Sequence, residues 1–162
     1  MKNNVKRIIQ KIGSLLILLV LMIFMGVLSP EFFSLGNIKN VGIQASVNAV
    51  LSIGMLMVII IGGIDLSIGA TLALAGIVSA YLMKAGCPVV LALLISCVVG
   101  AALGAVNGFI VTFMKLPPFV ATLGTTSIFR GTALFVTNGM PVSQLPDGIG
   151  IIGEGSVAGI PN

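Results

Sequence analysis

Residues 62–76 read GGIDLSIGATLALAG and interrupt an otherwise apolar part of the chain. Two adjacent glycines disfavour a continuing helix, and Asp65 can cap the next helix through a side-chain oxygen. Apolar runs lie on both sides, at residues 41–61 and 66–83. The segment therefore predicts two apolar helices joined by a tight turn.

The composition points to the class of protein. Of the 162 residues, 57% are hydrophobic and only 7% are charged. A soluble domain carries about 25% charged residues, so this chain has too few charges to cover a water-exposed surface. Its 21 glycines suit closely packed transmembrane helices. We expect an integral membrane protein of the all-α class.

Five apolar runs approach the length of about 20 residues that a spanning helix needs. They are residues 12–28, 41–61, 66–83, 89–114 and 119–136. Residues 137–162 contain three prolines and six glycines and are predicted to form a loop. Residues 1–162 are thus expected to form one polytopic transmembrane bundle of about five spans.

The distribution of basic residues predicts the orientation. Four of the eight cations precede the first apolar run, namely Lys2, Lys6, Arg7 and Lys11. By the positive-inside rule the N-terminus is then cytoplasmic, with Lys84 outside and Lys115 inside. Residues 29–40 and 137–162 become outer loops. A nucleic-acid partner is not expected, because that needs a clustered basic face with stacking aromatics.

Polar residues inside apolar spans are costly unless they are paired or face water. Gln44, Asn48 and Ser52 follow one another at i, i+4 and i+8 along the second span, and we call them the polar stripe. They fit either a pathway for a neutral polyhydroxylated solute or hydrogen bonds between helices, and both interpretations stay open. Asn107 in the fourth span is a further pathway candidate, although a bond between helices is favoured there.

Other positions are expected to be structural. The glycine-broken turn contains Gly62, Gly63 and Asp65, and an N-cap role for Asp65 is favoured over a cation or proton site. A double GxxxG in the fourth span is formed by Gly100, Gly104 and Gly108. It predicts a face that packs closely on another helix. Pro117 and Pro118 lie in a turn, and Pro118 can begin a helix.

Enzymatic chemistry has little support in the sequence. The chain has no histidine, which removes catalytic triads, and it has no P-loop for ATP. The four acidic residues lie far apart in the sequence. We therefore expect no catalytic residue, no cofactor and no metal on this chain.

Three segments together resemble one family. They are GGIDLSIGATLALAG at 62–76, AALGAVNGFIVTFMKLPPFVATLGTTSIFRG at 101–131 and TNGMPV at 137–142. In this order they resemble the ribose-type permeases of bacterial ABC importers. The resemblance runs from about residue 14 to the end of the chain. It implies an all-helical membrane subunit that imports a monosaccharide across the cytoplasmic (inner) membrane.

The resemblance also implies partners. Such permeases form homodimers, bind two cytoplasmic ATPase subunits that hold ATP and Mg²⁺, and receive sugar from a periplasmic or extracellular binding protein. Family members are about twice as long, so we expect this chain to be the N-terminal half, as a truncated or split product. Two alternatives remain: a fragment of an ion-coupled secondary transporter, with Asp65 as the ion site, and a purely structural membrane subunit.

Overall fold

The computed structural model describes residues 2–146, 148–149, 156–157 and 160–161. Its five helices are α1 Lys2–Leu28, α2 Leu35–Ile60, α3 Ile68–Lys84, α4 Val89–Phe113 and α5 Pro118–Thr137. The all-α prediction is confirmed. Within the expected loop at 137–162, two short strands, β1 (Ser156–Val157) and β2 (Ile160–Pro161), pair in antiparallel orientation. The chain divides into two compact units, residues 1–47 and 48–162.

In the first unit, the segment that follows α1 packs back on the end of that helix. A short 3₁₀ helix, Pro30–Phe33, begins with a proline and packs on α1. The ring of Phe33 lies against Gly26, where any side chain would collide with it. Phe32 and Phe33 meet edge to face with ring centroids 5.0 Å apart. Glycine at position 26 thus permits the close contact between α1 and the 3₁₀ helix.

Helix α2 begins at Leu35, six residues before the apolar run that predicts it, so residues 29–40 are not an open loop. The reason is local. Ser34 Oγ accepts the N–H of Asn37 at 3.3 Å, and Ile38 N–H donates to the Ser34 carbonyl at 3.0 Å. Ser34 therefore satisfies amides of the first turn, as an N-cap does, and hydropathy alone does not reveal it.

In the second unit, α3 packs against both α4 and α5. Most of the buried apolar residues at these contacts are alanines: Ala70, Ala75, Ala80, Ala92, Ala121 and Ala133. Met83 and Phe129 are the larger buried side chains. Small residues let helix backbones approach closely where no water is released by packing, which is the usual arrangement in membranes.

Helices α2, α3 and α5 end in the same hydrogen-bonded form, in α5 with the left-handed residue Asn138. After α2, Gly62 N–H donates to the Ile59 carbonyl and Gly63 N–H to the Val58 carbonyl, each at 2.9 Å. This is a Schellman cap, with Gly62 left-handed at φ +80°. The end of α3 repeats the pattern with Gly86 at φ +89°. The glycine-broken turn is therefore a specific helix stop.

Three described helices, α2, α4 and α5, are long and apolar enough to cross a membrane. Helix α3 and the apolar part of α1, Ile12–Leu28, are shorter. At 1.5 Å per residue, the 17 residues of α3 extend about 26 Å, slightly less than a hydrocarbon core of about 30 Å. Many large apolar side chains are exposed, which suits lipid and not water.

The cap on α2 gives a first prediction. Gly62→Ala should destabilise the folded chain by about 1 kcal/mol, because an L side chain is strained at positive φ. Gly54→Ala is the matched control on the same helix, since a Cβ there meets no atom within 4 Å and alanine favours helix. Thermal unfolding in detergent measures both. Equal melting temperatures for the two variants would contradict the cap.

Candidate functional site

The turn between α2 and α3 is attached to the start of α5 by one threonine. The hydroxyl of Thr122 accepts the N–H of Leu66 at 3.1 Å. The same hydroxyl donates to the Pro118 carbonyl, 2.8 Å from Oγ1, and the Ile64 carbonyl at 3.2 Å is a second acceptor. Helix α5 begins at Pro118, as the sequence predicts. The helix start therefore positions Thr122 beside the turn.

A second attachment runs to α4. Asp65 Oδ1 accepts both the N–H and the hydroxyl of Ser67, each at 2.7 Å. Ser67 Oγ in turn accepts the side-chain N–H of Asn107 at 2.6 Å. Because the single hydroxyl hydrogen of Ser67 goes to the carboxylate, Asn107 must present its nitrogen to Ser67. The network thereby fixes the orientation of the amide.

The expected N-cap role of Asp65 needs correction. Helix α3 begins at Ile68, and its N-cap is Ser67, whose carbonyl accepts the N–H of Thr71 at 2.8 Å. Asp65 lies two residues earlier and closes a side-chain turn onto Ser67. The left-handed glycine delays the helix, so the carboxylate organises the turn before the cap.

The buried amide of Asn107 is only half satisfied. The residue is 6% exposed, and its Oδ1 has no hydrogen-bond partner among the described residues. A buried acceptor without a donor costs about 1–3 kcal/mol. Such groups in folded proteins are usually satisfied by a water, an ion or a ligand.

Asn107 lies beside a cavity of about 230 Å³ within the second unit. Its lining combines apolar side chains with four polar residues: Asp65, Asn107, Thr112 and Thr122. Gly104, about one turn before Asn107, and Gly108, the residue after it, also line the cavity. Because α2 and α4 end here and α5 begins, the cavity lies at one end of the helices.

The double GxxxG makes a close contact within the described residues at only one of its three glycines, and helix packing at the other two stays a prediction. A Cβ at Gly100 would meet Ala75 at 3.9 Å, an ordinary packing distance. At Gly104 and Gly108 a Cβ would meet no atom of the described residues within 4 Å. Within that part of the chain, these two glycines border open space and not a neighbouring backbone. Spacing alone does not distinguish the two situations.

The polar stripe lies elsewhere. Gln44, Asn48 and Ser52 are all exposed on α2, with Gln44 in the first unit and the other two in the second. Ser52 Oγ donates to the Asn48 carbonyl at 2.7 Å. The cavity lining contains Asn107 but neither Asn48 nor Ser52. A pathway role for the stripe stays a prediction.

Sequence reasoning missed Ser67 and Thr122. Ser67 stands two residues after Asp65, the spacing at which an aspartate side chain bonds the backbone, so a local signal existed. Thr122 lies 56 residues from its partner Leu66. Nothing in its own segment separates it from Thr125 and Thr126, so only the fold reveals it.

Apolar helices with a buried polar network define a multi-pass membrane protein. Comparison with known proteins gives the family. Residues 37–152 match the family described as branched-chain amino acid transport system / permease component. The chain belongs to this family of membrane permeases. No solved structure matches it.

Several curated proteins are similar over nearly the whole chain. The ribose import permease protein of Haemophilus influenzae is 39% identical over 152 residues, which cover 91% of this chain and 47% of that protein. The D-allose transport system permease protein of Escherichia coli K12 is 42% identical, with 94% and 47% covered. The Bacillus subtilis ribose import permease protein is 41% identical, with 95% and 48% covered. The chain spans about half the length of these relatives.

The attachment through Thr122 gives a second prediction. Thr122→Val removes the acceptor for Leu66 N–H and should lower the free energy of unfolding by about 1–3 kcal/mol. Thr122→Ser keeps the hydroxyl and should lose less.

Thr126→Val is the matched control, because the Thr126 hydroxyl bonds only a carbonyl of its own helix. Unfolding in detergent measures all three variants. A Thr126→Val variant as unstable as Thr122→Val would contradict a specific role for Thr122.

Proposed function

We propose that the chain is part of the membrane permease of a binding-protein-dependent ABC importer for a monosaccharide such as ribose. The supporting observation is identity of about 40% to ribose and allose permeases over more than nine tenths of the chain. The family description names branched-chain amino acids instead. The sugar assignment follows the individual relatives, because their matches cover 91–95% of the chain, whereas the family match covers residues 37–152.

The chemistry of the polar residues supports the same solute class. Asn48, Ser52 and Asn107 carry neutral amides and hydroxyls, which exchange hydrogen bonds with sugar hydroxyls. A solute with a full charge would need an opposite charge in the membrane. Among the polar residues proposed for the pathway, Gln44 included, none is charged.

The proposed assembly supplies what this chain lacks. The chain performs no covalent chemistry and carries no cofactor of its own. ATP and Mg²⁺ are bound by separate cytoplasmic ABC ATPase subunits, and a periplasmic or extracellular sugar-binding protein delivers the solute. A second permease copy completes a homodimer in the lipid of the cytoplasmic (inner) membrane.

The proposed orientation has a cytoplasmic N-terminus, with Lys84 outside and Lys115 inside. Lys84 ends α3, and Lys115 lies in the turn after α4, so the two residues are at opposite ends of α4. Lys84→Cys should react with an impermeant thiol reagent in intact cells, and Lys115→Cys should react only after the cells are opened. Both are made with Cys87 and Cys97 changed to serine. The reverse labelling pattern would contradict the orientation.

Uptake by a chimera tests the function. This chain replaces the segment that it matches in the Escherichia coli K12 ribose import permease protein, to which it is 40% identical over 152 residues, in cells that lack that permease. We expect restored uptake of labelled ribose and no uptake of labelled leucine, because the chain would carry sugar-selective groups. The unmodified permease and an empty vector are the controls.

Membrane insertion of the chimera is checked by the cysteine labelling described above. A correctly inserted chimera that carries leucine but not ribose would overturn the sugar assignment. A correctly inserted chimera that carries neither solute would overturn the proposed importer function.

A further inference from the structure

The cavity beside Asn107 has the features of a small-molecule site. Such sites are concave and mostly apolar, with a few convergent polar groups that fix orientation. Its volume of about 230 Å³ lies just below the roughly 300–1,000 Å³ of pockets for drug-sized ligands. That is the size range of one small solute.

We propose that this cavity is a binding subsite for a neutral polyhydroxylated solute at one end of the permease bundle. The inference rests on the proposed function and adds to it the place and the chemistry of contact. The half-buried carboxylate of Asp65 is the acceptor at the lining for solute hydroxyls, and Asn107 Oδ1 is a second acceptor that a small shift of the lining would uncover. Gly104 and Gly108 provide the space by carrying no side chain.

Asn107 provides the first argument. Its amide nitrogen is held by Ser67 at 2.6 Å, so its oxygen cannot turn to that partner. The oxygen is buried and unpaired among the described residues, and the residue lines the cavity. Oδ1 has almost no accessible surface, so a solute hydroxyl reaches it only when the lining shifts, and the new bond would then remove the cost of burying the oxygen unpaired. Binding of a hydroxyl is thereby favoured over binding of an apolar group.

The charges select the class of solute. The residues that line the cavity include one acid, Asp65, and no lysine or arginine. A phosphate or an amino-acid carboxylate would find no cation there, and Asp65 would repel it. A carboxylate accepts hydroxyl hydrogen bonds readily. Neutral polyols and sugars therefore fit where anions and zwitterions do not.

A side chain introduced at one of the cavity glycines can be used to fill the cavity and so to test it. A side chain at Gly108 would enter space in which no atom lies within 4 Å of its Cβ. Gly108→Leu should therefore fill the cavity without displacing packed atoms. Gly131 on α5 also has open space around it but does not line the cavity, so Gly131→Leu is the matched control.

Thiol protection tests the subsite directly. Thr112→Cys, with Cys87 and Cys97 changed to serine, places a thiol on the cavity lining of this chain in membrane vesicles. The probe solutes are D-ribose and L-leucine, and the reagent is N-ethylmaleimide. We expect ribose above its Kd to slow alkylation by roughly threefold or more, and leucine to have no effect.

Two controls accompany the measurement. Thr132→Cys, which lines a separate apolar groove, should show no protection by ribose. Adding Gly108→Leu to Thr112→Cys should abolish the protection, whereas adding Gly131→Leu should leave it unchanged. Helix content and melting of each variant are measured alongside, so that loss of the fold is recognised separately.

Each outcome separates the subsite from the importer function. No protection by ribose in a folded Thr112→Cys variant would overturn the subsite, even if the chimera imports ribose. Protection by leucine would overturn the neutral-solute class. Protection by ribose that survives Gly108→Leu would place the solute outside this cavity and also overturn the proposal. Ribose protection without uptake by the chimera would leave the subsite supported and the importer function refuted.

Discussion

The hydrogen bond from Asn107 to Ser67 is the interaction on which the second unit depends. At 2.6 Å it joins α4 to the N-cap of α3, and Ser67 is fully buried. Both groups lie in surroundings with little water, where an unpaired polar group is expensive. The bond links the glycine-broken turn to the helix that carries Gly104 and Gly108, and so it fixes Asn107 in its place on the cavity lining.

The turn is held from two sides. Asp65 and Ser67 connect it toward α4, and Leu66 connects it to Thr122 on α5. The alanine-rich contacts let α4 and α5 approach α3 closely. A rigid turn next to an open cavity is a suitable arrangement for a binding group, because positions fixed by packing and hydrogen bonds lose little freedom when a solute arrives.

Much of this fold can be predicted from the sequence, because it follows from hydropathy and from the residues that end helices. Apolar length predicts five helices, and the paired glycines at 62–63 predict the stop between α2 and α3. The early start of α2 was missed, because Ser34 acts through one hydrogen bond that hydropathy does not register. The site was harder to predict. Thr122 forms a hydrogen bond with Leu66, 56 positions away, and Asn107 forms one with Ser67, 40 positions away. Such hydrogen bonds exist only once the helices have packed.

The central claim is that Ser67 and Asn107 stabilise the unit as a pair. A double-mutant cycle tests it with Ser67→Ala, Asn107→Leu and the double variant, by unfolding in detergent. Residues in one hydrogen-bond network show coupling energies of about 0.5–3 kcal/mol, and we expect about 1 kcal/mol or more here. Strictly additive losses, with no coupling energy, would contradict the account.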